Sequence, residues 1–395
     1  MTATITKNRI TSIDFLRGTI MIIMALDHVR DYLYRDSFLY DPLDFSKTSG
    51  ILFFTRWITH FCAPIFMLLA GSSAYFIGQR KTKNELSAFL FKRGLWLVFL
   101  ELIVTNFGWN FNITFPMLLL ITIWALGISM IVLAGMVQLP KKLIFVICII
   151  LVAGHNLLDG INITGNTLPA FGWAVLHAQA AFFWHKEIIL VGYPIIPWIG
   201  VMPLGYLLGE WYAKGYNTEK RKKNLLILGA SCIVLFIVLR YSNLYGDPLK
   251  WSTQKDAFFT FLSYLNVTKY PPSLLYLLMT LGGAFLFLSF AEKAKGAVVN
   301  VISVYGRVPM FYYLIHIYVI HLIAMASSAI TQGQNWKIWI LDKPIWFTHD
   351  LKGYGFSLPV AYFIWIAIVI AMYPLCKRYD KYKQTHKEKW WLSYL

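Results

Sequence analysis

The chain has 395 residues, of which 58% are hydrophobic and only 14% are charged. Soluble domains carry about 25% charged residues, so this composition excludes an ordinary soluble protein and indicates one that crosses a membrane several times. The formal net charge of +17 does not indicate a nucleic-acid partner. The lysines and arginines concentrate in short segments between apolar runs, as the orientation of a membrane protein requires.

Apolar runs of about 17–25 residues predict an all-α fold of about ten transmembrane helices, in a single domain over residues 1–395. Most of the 36 lysines and arginines fall on the inside if the amino terminus is cytoplasmic, so both termini are predicted to be cytoplasmic. Pro64 and Pro309 predict kinks in the second and ninth spans, and long outer segments (159–187, 240–270, 330–356) are expected to cover a site. The predicted spans are 13–33, 50–78, 88–106, 117–138, 142–158, 188–212, 224–240, 271–291, 299–329 and 357–376.

The first span is unusual because it carries several ionisable side chains. Each such group costs roughly 2.5–3.5 kcal/mol at the centre of a spanning helix, so these residues usually have a function. Arg17 and His28 are eleven positions apart, which places them on one helix face and about 16 Å apart along its axis. The spacing predicts a charged anchor near the inner membrane edge and a proton-handling imidazole near mid-depth. The ionisable residues of this span include Asp14, Arg17, Asp27, His28, Arg30 and Asp31.

The second and third spans add further ionisable groups. Arg56 and His60 share one face of the second span, and His60 is expected at the depth of His28. The two imidazoles form a proton-transfer pair in one interpretation; in the other, His60 only hydrogen-bonds a neighbouring helix. Glu101 in the third span is expected to pair with Arg56 or to orient a histidine.

Three further groups of residues are candidates for binding or packing. Ser72, in the small-residue run 70–74, either permits close helix approach or contacts a ligand, and close packing is favoured. Lys92 and Arg93 are expected at a basic inner rim that attracts phosphate. The ninth span adds Tyr312 and His316 to the intramembrane polar groups. The histidines lack the spacing of a metal centre and the four cysteines are scattered, so no metal site and no disulfide framework are predicted.

Several motifs resemble known membrane acyltransferases. Asp14 and Arg17, followed after ten residues by His28, resemble the first-helix motif of the acyltransferase-3 family. The opening TSIDFLRG, the FMLLAGSS that ends span 2, and the Tyr312–His316 spacing more closely resemble the catalytic domain of heparan-α-glucosaminide N-acetyltransferases. The segments ALDHVRD, TRWITHFCAP, YPIIPWIGVMPLGY and YGRVPMFYY resemble a bacterial branch of that family. The resemblance extends over nearly the whole chain.

The resemblance implies an enzyme of the bacterial inner membrane that takes an acetyl or other acyl group from cytosolic acyl-CoA. It passes the group to a hydroxyl or amine, commonly of a glycan, at the far side. In the eukaryotic heparan enzyme an asparagine stands at the place of His28, and its key histidine falls where this chain has Leu39. The catalytic role therefore passes to His28 or His60 here. The resemblance also suggests a homodimer, and it implies acetyl-CoA as a donor substrate with no tightly bound cofactor.

Two functional classes remain open from the sequence. In the favoured one, His28 is the general base and Asp27 or Glu101 fixes its tautomer. Arg17 either anchors the CoA portion or stabilises charge through Asp14. Direct transfer and an acetyl-histidine intermediate are both open. The alternative is a proton-coupled transporter or exporter of a small molecule, because transporters also hold buried ionisable groups beside broken helices.

Overall fold

The computed structural model of the chain describes residues 10–333 and 335–393. Residues 1–9 and 394–395, at the termini predicted to be cytoplasmic, lie outside the described residues. The described residues form fifteen α-helices and three short strands. In chain order these are α1 (Thr11–Leu33), α2 (Gly50–Ile58), α3 (Cys62–Gly78), α4 (Lys83–Leu100), α5 (Asn106–Asn110), β1 (Met117–Leu120), α6 (Thr122–Met136), α7 (Lys141–Gly154), α8 (Leu168–Leu176), β2 (Ala180–Trp184), β3 (Glu187–Val191), α9 (Ile196–Leu208), α10 (Thr218–Ser242), α11 (Ala257–Leu265), α12 (Leu274–Ala291), α13 (Ala297–Arg307), α14 (Pro309–Gln332) and α15 (Leu358–Thr385).

Six helical stretches of the described residues are long and apolar enough to cross a membrane. The other four predicted spans also contain helices, but α6 and α9 have only 15 and 13 residues, and α1 and α4 are rich in charge. The mostly helical membrane fold is therefore confirmed, with six spans recognisable by length and composition. They are Gly50–Gly78, Lys141–Leu158, Thr218–Ser242, Leu274–Ala291, Pro309–Thr331 and Leu358–Thr385.

Helix α1 is the central helix of the bundle. Most of its 23 residues are buried, and it packs against α3, α12, α13, α14 and α15. Gly18 and Gly306 permit the close contact with α13, because a Cβ at either position would overlap backbone of the other helix. The charged side chains of α1 therefore face protein, which explains how a helix with this composition lies inside the bundle.

Prolines mark the two breaks that the sequence predicted. Residues Thr59–Phe61 form a 3₁₀ turn between α2 and α3, and Pro64 has no N–H to donate to the carbonyl of His60. Tyr276 of α12 supplies the missing donor, since its hydroxyl lies 2.6 Å from the His60 carbonyl oxygen. Val308 leaves the helical conformation immediately before Pro309, so the predicted ninth span is two helices, α13 and α14.

A small sheet accompanies the mostly helical fold, which otherwise agrees with the all-α prediction. The strand order is β1–β3–β2, with β1 parallel and β2 antiparallel to β3. Strands β1 and β3 occupy the beginnings of the predicted fourth and sixth spans, and their apolar side chains pack with those of β2 and α8. Short apolar runs do not distinguish a buried strand from a helix, which is why the pattern misassigned them. Strand β1 leads directly into α6.

The segment between α14 and α15 covers the carboxy-terminal end of α1. Phe356 donates its N–H to the Leu33 carbonyl, and Arg35 donates to the Phe356 carbonyl. Trp339 is fully buried against Tyr32, with ring centroids 6.0 Å apart. The end of α1 that is nearer to His28 is therefore closed by protein.

Candidate active site

Two imidazoles meet inside the bundle. His28 Nδ1 lies 2.8 Å from His316 Nε2, and the rings stack with centroids 4.9 Å apart. The contact joins α1 to α14, residues 288 positions apart in the chain. The pairing predicted between His28 and His60 is therefore corrected, because His316 takes the place expected for His60.

The hydrogen-bond partners determine which nitrogen of each ring carries a proton. His316 Nδ1 lies 2.9 Å from the Tyr312 carbonyl oxygen, which can only accept. Neutral His316 must therefore donate from Nδ1 and accept at Nε2. His28 must in turn donate from Nδ1, which leaves the lone pair of His28 Nε2 without a proton. The arrangement is that of a base oriented by a second group.

Burial distinguishes the three histidines of this region. His316 and His60 are fully buried, whereas His28 keeps about 9% of its surface exposed. Neither ring nitrogen of His60 has a hydrogen-bond partner within the described residues. Among these three imidazoles, His28 is thus the one that a substrate reaches with the least rearrangement.

Aromatic rings enclose the imidazole pair. Trp109 packs edge-on against His28 with ring centroids 5.0 Å apart, and Tyr313 does so at 6.4 Å. Tyr312 stacks on His316 at 5.1 Å and supplies the carbonyl that fixes its tautomer. The low-polarity surroundings strengthen each hydrogen bond that the pair makes.

Asp27 belongs to a charged cluster and makes no hydrogen bond to either imidazole among the described contacts. Its carboxylate lies 2.8 Å from Arg30 Nη1 and 2.9 Å from Arg56 Nη1, and it also accepts from Thr59. Lys269 adds a further positive charge that acts on Asp27. The tautomer of His28 is thus fixed by His316, where Asp27 or Glu101 was expected, and the predicted pairing of Arg56 with Glu101 is replaced by Arg56 with Asp27.

Glu101 binds the beginning of a helix. One carboxylate oxygen accepts from the N–H groups of Ile123 and Trp124, at 2.7 and 2.9 Å, in the first turn of α6. No side chain caps this helix locally, so a buried carboxylate from the neighbouring chain segment satisfies its free N–H groups and its dipole. Glu101 also begins the π-helical turn Glu101–Thr105. The geometry indicates a structural ligand for α6.

A cavity of about 240 Å³ lies between α1, α3, α4, α6 and α14. Basic side chains line it at the side where α1 begins and α15 ends, and apolar side chains line its interior. Tyr313 lines the cavity and also packs against His28 and His316, so its ring lies between the cavity and the pair. The basic lining residues are Arg17, Arg93, Arg307 and Lys383.

The predicted binding residues differ in their relation to this cavity. Arg17 lines it and contacts the Asp14 carboxylate at 3.3 Å and the Ser73 hydroxyl at 3.2 Å. Arg93 lines it too, whereas the adjacent Lys92 is exposed and is not among the described lining residues. Ser72 is fully buried and donates to backbone carbonyls of α3 and α9, so close helix packing accounts for it, and Ser73 is the serine at the cavity.

The sequence did not indicate how several residues contribute to the imidazole pair and the cavity. Tyr313 and Trp109 gave no signal, because aromatic residues are abundant throughout the chain. Arg307 and His316 were visible as intramembrane polar residues, but nothing in the sequence indicated which helix they face. Only the fold brings α14 beside α1.

This geometry defines a class of protein: a helical membrane protein with an internal imidazole pair and a cavity partly lined by basic side chains. Residues 9–236 match the family model described as heparan-alpha-glucosaminide N-acetyltransferase, catalytic. The match covers more than half of the 395 residues, so the chain belongs to this family of membrane acetyltransferases. No curated protein matches the chain. The match ends before α14, so His316 lies outside the matched residues.

Proposed function

We propose that this protein transfers an acetyl group from acetyl-CoA to a hydroxyl or amine of a glycan-like acceptor, with His28 as the general base. The observation that carries the proposal is the orientation of His28, whose Nδ1 is held by His316 and whose Nε2 is left unprotonated. Family membership supports the acetyl chemistry, and the cavity supports the donor.

The cavity matches the parts of a CoA thioester. Phosphates bind best to guanidinium and ammonium groups, which line the cavity beside the ends of α1 and α15. The apolar interior between α3, α4 and α6 suits the uncharged arm, which would carry the thioester toward Tyr313. Movement of the Tyr313 ring would then admit the acetyl group to the imidazole pair.

In the proposed reaction one proton passes from the acceptor to His28 and then from His28 to the CoA thiolate. His28 Nε2 takes the proton of the acceptor hydroxyl or amine while the acceptor oxygen or nitrogen attacks the thioester carbon. The carbon–sulfur bond then breaks, and the imidazolium returns its proton to the CoA thiolate. A positioned base of this kind contributes about 10²–10⁴-fold to the rate. Transfer through an acetyl-histidine would use the same nitrogen.

The topology belongs to the same proposal. We place ten crossings in the bacterial inner membrane, six by the long apolar helices and four by helices α1, α4, α6 and α9, with both termini in the cytoplasm. The basic residues at one mouth of the cavity support a cytosolic donor. We propose that the acceptor binds on the opposite side, near the covered carboxy-terminal end of α1.

The test is acetyl transfer from radiolabelled acetyl-CoA in membrane vesicles from expressing cells. We expect His28→Asn to abolish transfer while His60→Asn retains it, with expression unchanged in both. His185→Asn, at an exposed turn, is the control. Full transfer by His28→Asn would refute the assignment, and loss only in His60→Asn would move the base to His60.

A further inference from the structure

A second group of histidines lies apart from the imidazole pair. His155 and Asp159 border the 3₁₀ turn that follows α7, and His177 follows α8 directly. One nitrogen of each imidazole and one oxygen of the carboxylate lie within 4.8 Å of one another. His177 Nε2 lies 3.0 Å from Asp159 Oδ1.

Two of these side chains are buried with unused hydrogen-bonding atoms. His155 and His177 are 2% and 3% exposed. Both ring nitrogens of His155, and Nδ1 of His177, have no hydrogen-bond partner within the described residues. A buried polar atom without a partner is destabilising, so His155 in particular is unexplained by the hydrogen bonds of the fold.

Neighbouring groups hold the remaining atoms in place. Asn156 donates from Nδ2 to the second carboxylate oxygen of Asp159, at 2.8 Å, and accepts at Oδ1 from the Leu274 N–H at the beginning of α12. Trp173 packs against the His177 ring with centroids 5.3 Å apart. Hydrogen-bonded carboxylates and packed imidazoles are typical of the surroundings of metal ligands.

We propose that His155, Asp159 and His177 bind a divalent transition-metal ion of the zinc class. Two imidazoles and one carboxylate suit zinc, whereas calcium and magnesium require oxygen ligands. Bonds of about 2.1 Å in tetrahedral geometry need ligand atoms roughly 3.4 Å apart, so small side-chain rotations complete the site. Three protein ligands leave the fourth position to water.

The ion would fasten the outer segment between α7 and α8 to the bundle. The hydrogen bond between Asn156 and the Leu274 N–H connects the site to the beginning of α12. Lys269, shortly before α12, interacts electrostatically with Asp27. The metal site is independent of the proposed acetyl transfer, since none of its ligands lines the cavity or contacts His28.

The experiment uses the full chain in detergent after treatment with a chelator. Zn²⁺ is titrated by calorimetry, metal content is measured by mass spectrometry, and the melting temperature is followed with added Zn²⁺. We expect one equivalent per chain and a melting temperature that rises with zinc concentration. Co²⁺ should give the visible absorption of a tetrahedral nitrogen–oxygen site.

Matched variants decide the outcome. Asp159→Asn keeps an acceptor for Asn156 and should weaken zinc binding at least tenfold, and His155→Gln should abolish it. His185→Asn, which changes an exposed histidine outside the cluster, should bind like the unchanged chain. The proposal is overturned if the unchanged chain binds no zinc at micromolar concentration, or if Asp159→Asn and His155→Gln both bind as well as it does.

Discussion

Replacing His316 with asparagine or with glutamine separates its hydrogen bond to His28 from its hydrogen bond to Tyr312. The amide nitrogen of asparagine occupies about the position of imidazole Nδ1, so His316→Asn keeps the donor to the Tyr312 carbonyl and loses the acceptor for His28. The amide oxygen of glutamine occupies about the position of Nε2, so His316→Gln keeps the acceptor that His28 requires. Both variants remove the ring.

The expected loss in kcat follows from the 2.8 Å hydrogen bond between His28 and His316. A buried donor left without its acceptor costs about 1–3 kcal/mol. Because about 1.36 kcal/mol corresponds to a tenfold change in rate, His316→Asn should lower kcat roughly 5- to 150-fold. His316→Gln should lose less, because His28 Nδ1 still donates and its Nε2 stays unprotonated.

The assay is steady-state acetyl transfer in vesicles, with kcat and the KM for acetyl-CoA measured for each variant. We expect KM to change little, because His316 is not among the described residues that line the cavity. If His316→Gln lowers kcat as much as His316→Asn does, the His316 ring contributes packing only and does not orient His28. Unchanged kcat in His316→Asn would refute the tautomer argument.

Three further predictions concern the cavity and the helix ends. Arg93→Gln should raise the KM for acetyl-CoA about 10- to 150-fold, because a charge-assisted hydrogen bond contributes about 1.5–3 kcal/mol; Lys92→Gln, on the exposed neighbour, is the control and should leave KM unchanged. Tyr276→Phe should lower stability by about 1–3 kcal/mol in a thermal assay, since it leaves the His60 carbonyl without a donor, and should spare kcat. Glu101→Leu should lower stability by about 1–3 kcal/mol, because the Ile123 and Trp124 N–H groups lose their acceptor, while a loss of transfer with unchanged stability would instead make Glu101 a catalytic group.

Local patterns predicted the helices and the importance of α1, but not the contacts between distant helices. The charges of α1 and the spacing of Arg17 and His28 indicated a functional helix, because ionisable groups in a membrane are costly. The partner of His28 was invisible, since nothing in the sequence indicates which face of α14 turns toward α1. The His155 cluster was missed for the same reason: α8 must fold back before His177 reaches Asp159.

The direction of the hydrogen bonds bears on the choice between an acetyltransferase and a proton-coupled transporter. The chain of donors runs from His28 to His316 and ends on the Tyr312 carbonyl, which has no proton to pass on. A transporter needs a relay that continues toward the other side of the membrane. An acetyltransferase needs a base that takes one proton and returns it within the same reaction, and for that a pair ending on a backbone carbonyl is sufficient. The geometry therefore favours transfer chemistry over proton conduction, in agreement with the family to which the chain belongs.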